Sequence, residues 1–307
     1  LGNHLSNDWT IRKRKPLGDL KLSADYAHRW NLRGGKLGLL AALNYANEYR
    51  AYRGMLNNFF GAYDTDNDRV NPLRLSTDDQ YNQNNRLGVM LNLTWLSASG
   101  NTKYQWKNIF NQLGNSRYTT RQGLSAQSER ERSAEYYYRS RTTYTTQITG
   151  NHTLKADVLD WSAGYAYANR DLPDRRRYTL DNQLDPKQVG LTTGNEITRE
   201  FTRLDEHIAS AGVNYRRDFR QGRVRPQLLA GAYGEYRTRT YNTRSFIYQW
   251  DPADNALPTG FRYMDLPTQL LQPQYYGDEG LYLIDDTKLR NDYRGHYWLG
   301  AAYASVN

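Results

Sequence analysis

Apolar and polar residues alternate with a period of two along most of this chain, and that pattern commits it to β-structure. In Gly18–Trp30 one face reads Leu20, Leu22, Ala24, Tyr26, His28 and Trp30, and the other carries Lys21, Ser23, Asp25 and Arg29. Leu37, Leu39, Ala41, Leu43 and Tyr45 repeat the series opposite Asn44, Glu48 and Arg50. So do Leu87, Val89, Leu91, Leu93 and Trp95, opposite Arg86 and Asn92. The same holds for Leu159, Trp161, Ala163, Tyr165 and Tyr167, opposite Asp160 and Arg170, and for Ala209, Ala211, Val213 and Tyr215, opposite Asn214 and Arg216. Successive strand side chains point to opposite sides of a sheet, whereas a helix repeats every 3.6 residues and scatters such a series around its axis. Thr102–Asn111 is less regular because Asn108 interrupts its aromatic face, and Arg139–His152 is rich in Thr and Tyr. Val224–Tyr241 is apolar on both sides, so its faces stay open. A ninth strand begins near Tyr293.

The segments between these strands differ in length. Asn31–Gly35, Ser97–Gly100, Asn151–Val158 and Arg217–Gly222 are short, whereas Met55–Asp79, Asn115–Arg132, Asp171–Glu196 and Thr243–Asp286 are long and polar. Short and long connections that alternate predict an up-and-down sheet with tight turns at one end and large loops at the other, the layout of an outer-membrane barrel. Trp30, Trp95, Tyr104, Trp106 and Trp161 fall near the short-turn ends, and Tyr45, Tyr49, Tyr52 and Tyr138 toward the long ones. Two aromatic girdles bracketing Leu, Val and Ala are what a lipid-facing band needs. Leu39, Leu43, Leu91 and Trp161 are expected to face lipid.

Composition agrees. No stretch approaches the roughly 18–20 apolar residues of a membrane helix. A mean hydropathy of −0.91 is compatible with a barrel, in which every second residue faces a wet lumen. The 307 residues contain no Cys, so disulfides, thiolate metal sites and Cys nucleophiles are excluded. Tyr is abundant, with 27 copies against 7 Phe and 7 Trp, as suits surfaces dry at one end and wet at the other. The net charge of +9 comes mostly from Arg and suits anionic partners such as lipopolysaccharide.

Trp106-Lys107-Asn108-Ile109-Phe110-Asn111-Gln112 resembles a stretch of TonB-dependent outer-membrane receptors, in the subgroup that carries a carboxypeptidase-regulatory-like domain before the plug. Gly150-Asn151-His152, Asp160-Trp161, Pro173-Asp174-Arg175-Arg176 and Gly231-Ala232-Tyr233 with Arg237-Thr238-Arg239 follow in the order found there. The resemblance implies a barrel of about 22 strands with an N-terminal plug, taking up a scarce ligand such as a siderophore, cobalamin, glycan or peptide with energy from TonB. No plug, TonB box or terminal aromatic strand is found in residues 1–307. These residues are therefore expected to be one partial barrel domain: about nine strands of an all-β, antiparallel, up-and-down transmembrane wall. The implied location is the outer membrane. The implied partners are outer-membrane lipid, lipopolysaccharide and, through the plug, the TonB system.

Candidate sites are few. Asp64, Asp66 and Asp68 begin like a calcium loop, but Arg69 and Leu75 stand where that loop needs Gly and Glu. Arg175, Arg176 and Arg177 form the densest cationic run and are candidates for contact with a ligand or with lipopolysaccharide phosphates. The lumen face is expected to carry Arg29, Arg50, Arg86, Arg170 and Arg216 with Asp25, Glu48 and Asp160 as inter-strand ion pairs. His4, His28, His152, His207 and His296 have no ligand spacing. No Gly-x-Ser-x-Gly, P-loop or His-Glu-x-x-His motif occurs, so neither an enzyme nor a cofactor is expected. Aromatics share a face with Leu and Val rather than with the basic residues, which argues against nucleic acid. Two other readings are a complete small outer-membrane barrel with an adhesive or porin-like role, and a soluble β-sheet binding protein.

Overall fold

The computed structural model describes residues 5–16, 18–125, 131–181, 197–219, 226–250, 267–276 and 281–307. Ten antiparallel strands form one sheet. They are β1 (Leu20–Leu32), β2 (Gly35–Asp64), β3 (Arg69–Ser97), β4 (Thr102–Ser125), β5 (Glu131–Leu154), β6 (Asp157–Asp181), β7 (Ile197–Asp218), β8 (Gln227–Trp250), β9 (Leu281–Asp285) and β10 (Tyr293–Val306). Their order in space is β1 to β8 and then β10, with β9 paired to the far end of β8. The sheet is up-and-down and does not close. Among the described residues β1 pairs with β2 alone and β10 with β8 alone, so each leaves one edge open. This is the architecture of an incomplete barrel wall.

Two expectations need correction. Nine strands do form the wall, but β9 is an additional strand inside Thr243–Asp286, which reads as loop in the sequence. Among the described residues the long polar segments are also mostly strand. β2 has 30 residues and β3 has 29, so Met55–Asp79 is a hairpin whose turn is Thr65–Asp68. β4, β5 and β6 likewise run on through Asn115–Ser125, Glu131–Arg139 and Asp171–Asp181. Residues 126–130, 182–196, 220–222, 251–266 and 277–280 of the expected connections lie outside the described residues. The backbone ladder continues where the apolar pattern stops because each N–H and C=O is satisfied by the neighbouring strand whatever the side chain.

Paired residues in a sheet share a face, so the register carries each strand's pattern to the next. Trp30, Leu37, Trp95, Tyr104, Gly150, Trp161, Val213, Ala232 and Ala302 are linked pair by pair in one row across nine strands. All the clear apolar series therefore lie on one face, called here the apolar face. The register also resolves β8, placing Leu228, Ala230 and Ala232 on the apolar face and Leu229, Gly231 and Tyr233 on the polar one. Asn108 does point to the apolar face, where its side-chain amide donates to the Leu91 carbonyl at 3.2 Å and accepts from the Tyr144 hydroxyl at 3.2 Å. Its polarity is thereby satisfied within the sheet.

The apolar band has two limits. Its lower limit is the row of Trp30, Trp95, Tyr104 and Trp161, close to the tight turns. Its upper limit is the row in which Gln112, Thr142, Asn169, Asp205 and Thr240 follow one another across β4 to β8. On β6 the two rows are Trp161 and Asn169, nine residues inclusive, against roughly 9–11 for a tilted strand crossing a bilayer. Above this limit Tyr49 and Tyr138 keep to the apolar face, but Tyr52 pairs with Gln80 on the polar face and leaves the expected girdle.

The buried cluster lies above the band. Trp9, in the segment that precedes β1, is 1% exposed and meets Tyr136 and Tyr178 edge-on, with ring centroids 5.8 and 6.0 Å apart. Ala134, Ile197, Tyr248, Leu271 and Leu281 complete the cluster. Burial raises the hydroxyl pKa values of Tyr118, Tyr136 and Tyr178 above the ordinary tyrosine range.

Candidate functional site

The sheet offers two surfaces, an apolar band and a polar face rich in guanidinium groups. Within the band large side chains are open: Leu43 is 46% exposed, Ile148 45% and Trp106 40%. Four histidines sit among its rings. His28 lies 4.6 Å from Trp30 and His152 5.3 Å from Tyr104, while Nδ1 of His207 and of His296 is 2.8 Å from the Tyr165 and Tyr236 hydroxyls, respectively. Each presents an apolar ring body and a polar tip. Among the described residues no group of three or more His, Asp or Glu is placed to hold a metal ion.

The candidate calcium-loop residues Asp64, Asp66 and Asp68 lie at the turn between β2 and β3. The Asp64 carboxylate accepts the backbone N–H groups of Asp66 and Asn67 at 3.2 Å and the Asn67 side-chain amide at 2.8 Å. Asp68 takes the left-handed conformation, with φ of 48°, and accepts from the Tyr63 hydroxyl. This is turn chemistry, in which an acidic side chain holds its own backbone.

Arg175, Arg176 and Arg177 do not make one patch. They lie within β6, so successive side chains go to opposite faces. Arg175 reaches the polar face and bridges Glu135 at 2.7 Å and Glu200 at 3.2 Å. Arg117 binds the other oxygen of Glu135 at 2.9 Å, so one ion-pair row crosses β4, β5, β6 and β7. Tyr137 lies in this group, with Arg117 4.6 Å, Arg139 5.8 Å and Arg175 5.9 Å from its ring centre. Arg176 goes to the apolar face above the band, where it binds Asp174 at 2.8 Å and the Asp8 carbonyl at 2.7 Å and lies over the Trp9 ring. Arg177 is exposed.

Other charges on the polar face are paired across strands: Lys21 with Glu48 at 2.8 Å, Arg121 with Asp78 through two contacts of 2.8 Å, and Arg239 with Glu206 at 2.9 Å. Burial pushes the Asp78 carboxyl up, but hydrogen bonds from Arg121 and Asn57, with the charges of Arg121 and Arg74, outweigh it and hold its pKa below the ordinary value. Of the expected ion-pairing residues, Glu48 and Arg50 do pair, Arg50 with Asp19 at 2.7 Å, whereas Asp160 accepts from the Asn151 side-chain amide. Arg86 and Arg170 make no ion pair among the described residues. Arg141, which the sequence did not single out, faces Arg170 across the strand pair. Its strand is polar on both sides, so alternation could not identify its face. No family model, curated protein or solved structure matches the chain.

Proposed function

We propose that this chain is part of the wall of an outer-membrane β-barrel of the TonB-dependent receptor type, a transport protein for energised uptake of a scarce ligand. The carrying observation is the apolar band, which lies on one face of all nine wall strands, stands about the height of a bilayer core and remains uncovered. None of the described buried hydrophobic residues lies within it. An exposed apolar surface of this extent marks a contact with lipid or another apolar partner, and the aromatic row along its lower limit is the arrangement favoured at a membrane interface. Outer-membrane lipid is the partner of this face, and lipopolysaccharide is the partner just above it. The polar face belongs to the wet lumen. The open edges of β1 and β10 support continuation of the wall by further strands, since backbone groups at an edge in lipid must be paired. The order of motifs from Trp106 to Arg239 supports the receptor type, and with it a plug and coupling to TonB.

The test is site-directed labelling in native membranes of the full-length parent protein, and this chain contributes no Cys background. Cys replacing Leu39, Leu91 or Trp161 should react with a lipid-phase reagent, and Cys replacing Asn44 or Arg86 with an aqueous one. The reverse pattern overturns the face assignment, and aqueous labelling of all five overturns the membrane reading.

A further inference from the structure

Several guanidinium groups of the polar face make no ion pair among the described residues, and two of them stand opposite one another. Arg141 on β5 is paired directly with Arg170 on β6, and the same row reaches Arg86 on β3 through Leu113 on β4. Opposed residues of antiparallel strands have Cα atoms about 4.5–5.5 Å apart, and like charges there repel. Of the nearby carboxylates, Glu206 pairs with Arg239 and Glu135 with Arg117 and Arg175, while Glu48 pairs with Lys21 and also feels the charge of Arg86. Arg139, two residues from Arg141 on the same face, has an aromatic partner in Tyr137 and no ion pair among the described residues. The Nε–H groups of Arg170 and Arg117 are shielded from solvent and have no acceptor among the described residues, although buried donors are as a rule satisfied. The row lies immediately above the upper limit of the apolar band, on the opposite face.

We propose that Arg141 and Arg170, flanked by Arg86 and Arg139, bind a polyanionic solute through its phosphate or carboxylate groups. An anion seated between the two opposed guanidiniums converts their repulsion into two charge-assisted contacts, and the planar fork of Arg matches both anion types. The site rests on the reading of the polar face as the wet lumen, where it places the anion at the upper level of the membrane.

The experiment is calorimetric titration of the full-length parent protein in detergent at low salt, with sodium pyrophosphate in one series and sodium citrate in the other. Binding is expected in at least one series, and its identity separates a phosphate from a carboxylate ligand. The double variant Arg141→Gln/Arg170→Gln should weaken that binding roughly tenfold or more, while Arg239→Gln, whose charge Glu206 already matches, should change it less than about twofold. Without anion, Arg170→Gln should raise the unfolding midpoint because it relieves the like-charge pair. No binding of either probe at millimolar concentration, equal binding by the double variant, or a lowered midpoint for Arg170→Gln would each overturn the site. Aqueous labelling of Arg141→Cys without anion binding rejects this inference alone, whereas lipid-phase labelling of that position rejects the barrel reading with it.

Discussion

Trp161 lies over Gly150 on the neighbouring strand, so close that a Cβ on Gly150 would stand 2.4 Å from the indole Cε2 and Nε1 atoms. The indole N–H also donates to Nε2 of His152 at 3.1 Å. A glycine beneath a ring lets the ring cover backbone that has no side chain of its own. Gly150→Ala should therefore destabilise the folded barrel by about 1–3 kcal/mol, read from urea unfolding of the refolded full-length protein. In a Trp161→Ala background the same substitution should be nearly neutral. An equal cost in both backgrounds would rule out the steric account.

The strand ends beyond the apolar band should lie outside the cell. An epitope tag in the turn Thr65–Asp68 should be accessible to antibody on intact cells, and a tag in the turn at Ala98–Asn101 should become accessible after permeabilisation alone. The opposite result inverts the orientation of the wall.

Arg199 is 2% exposed and is held by Asp174, through an Nε contact of 2.9 Å, and by the Ser6 carbonyl at 2.9 Å. Removing one partner of a buried pair leaves an uncompensated charge, so Asp174→Ala should cost about 3–5 kcal/mol. The exposed pair Lys288–Asp286 provides the contrast: Asp286→Ala should change stability by about 0–1 kcal/mol. Chemical denaturation of the two variants side by side checks both values.

Asp78 has a lowered pKa in the folded protein. Its contribution is complete above the unfolded-state value of about 3.9 and is lost as pH falls through the lower folded value. The stability difference between the parent protein and Asp78→Asn should be constant above about pH 5 and shrink below about pH 4. A difference that grows on acidification would contradict the ion-pair account.

The two edges make residues 1–307 poor candidates for independent folding. Every residue of β1 and β10 is exposed, and each strand leaves a row of backbone groups free to pair with another chain. Expressed alone, these residues should aggregate in water and in detergent. A monodisperse monomer with sharp, reversible unfolding in detergent-free buffer would favour the soluble alternative and count against the membrane reading.

Alternation by itself determined the strands and their faces, because a period of two needs no knowledge of neighbours: Leu37 to Tyr45 and Leu87 to Trp95 lie on one side as read. It failed where both sides have the same polarity. Gln227–Tyr241 and the Thr-rich β5 took their faces from hydrogen-bond register alone, and so did the opposition of Arg141 and Arg170. Met55–Asp79 reads as loop because its side chains lack a pattern, yet its backbone is paired with neighbouring strands throughout most of its length. The Arg175–Arg177 run reads as one cationic cluster, and its division between two faces follows once β6 extends that far. Which charges are neutralised was decided by the tertiary structure, since Glu135 and Arg175 are 40 positions apart and meet because strand pairing brings them together.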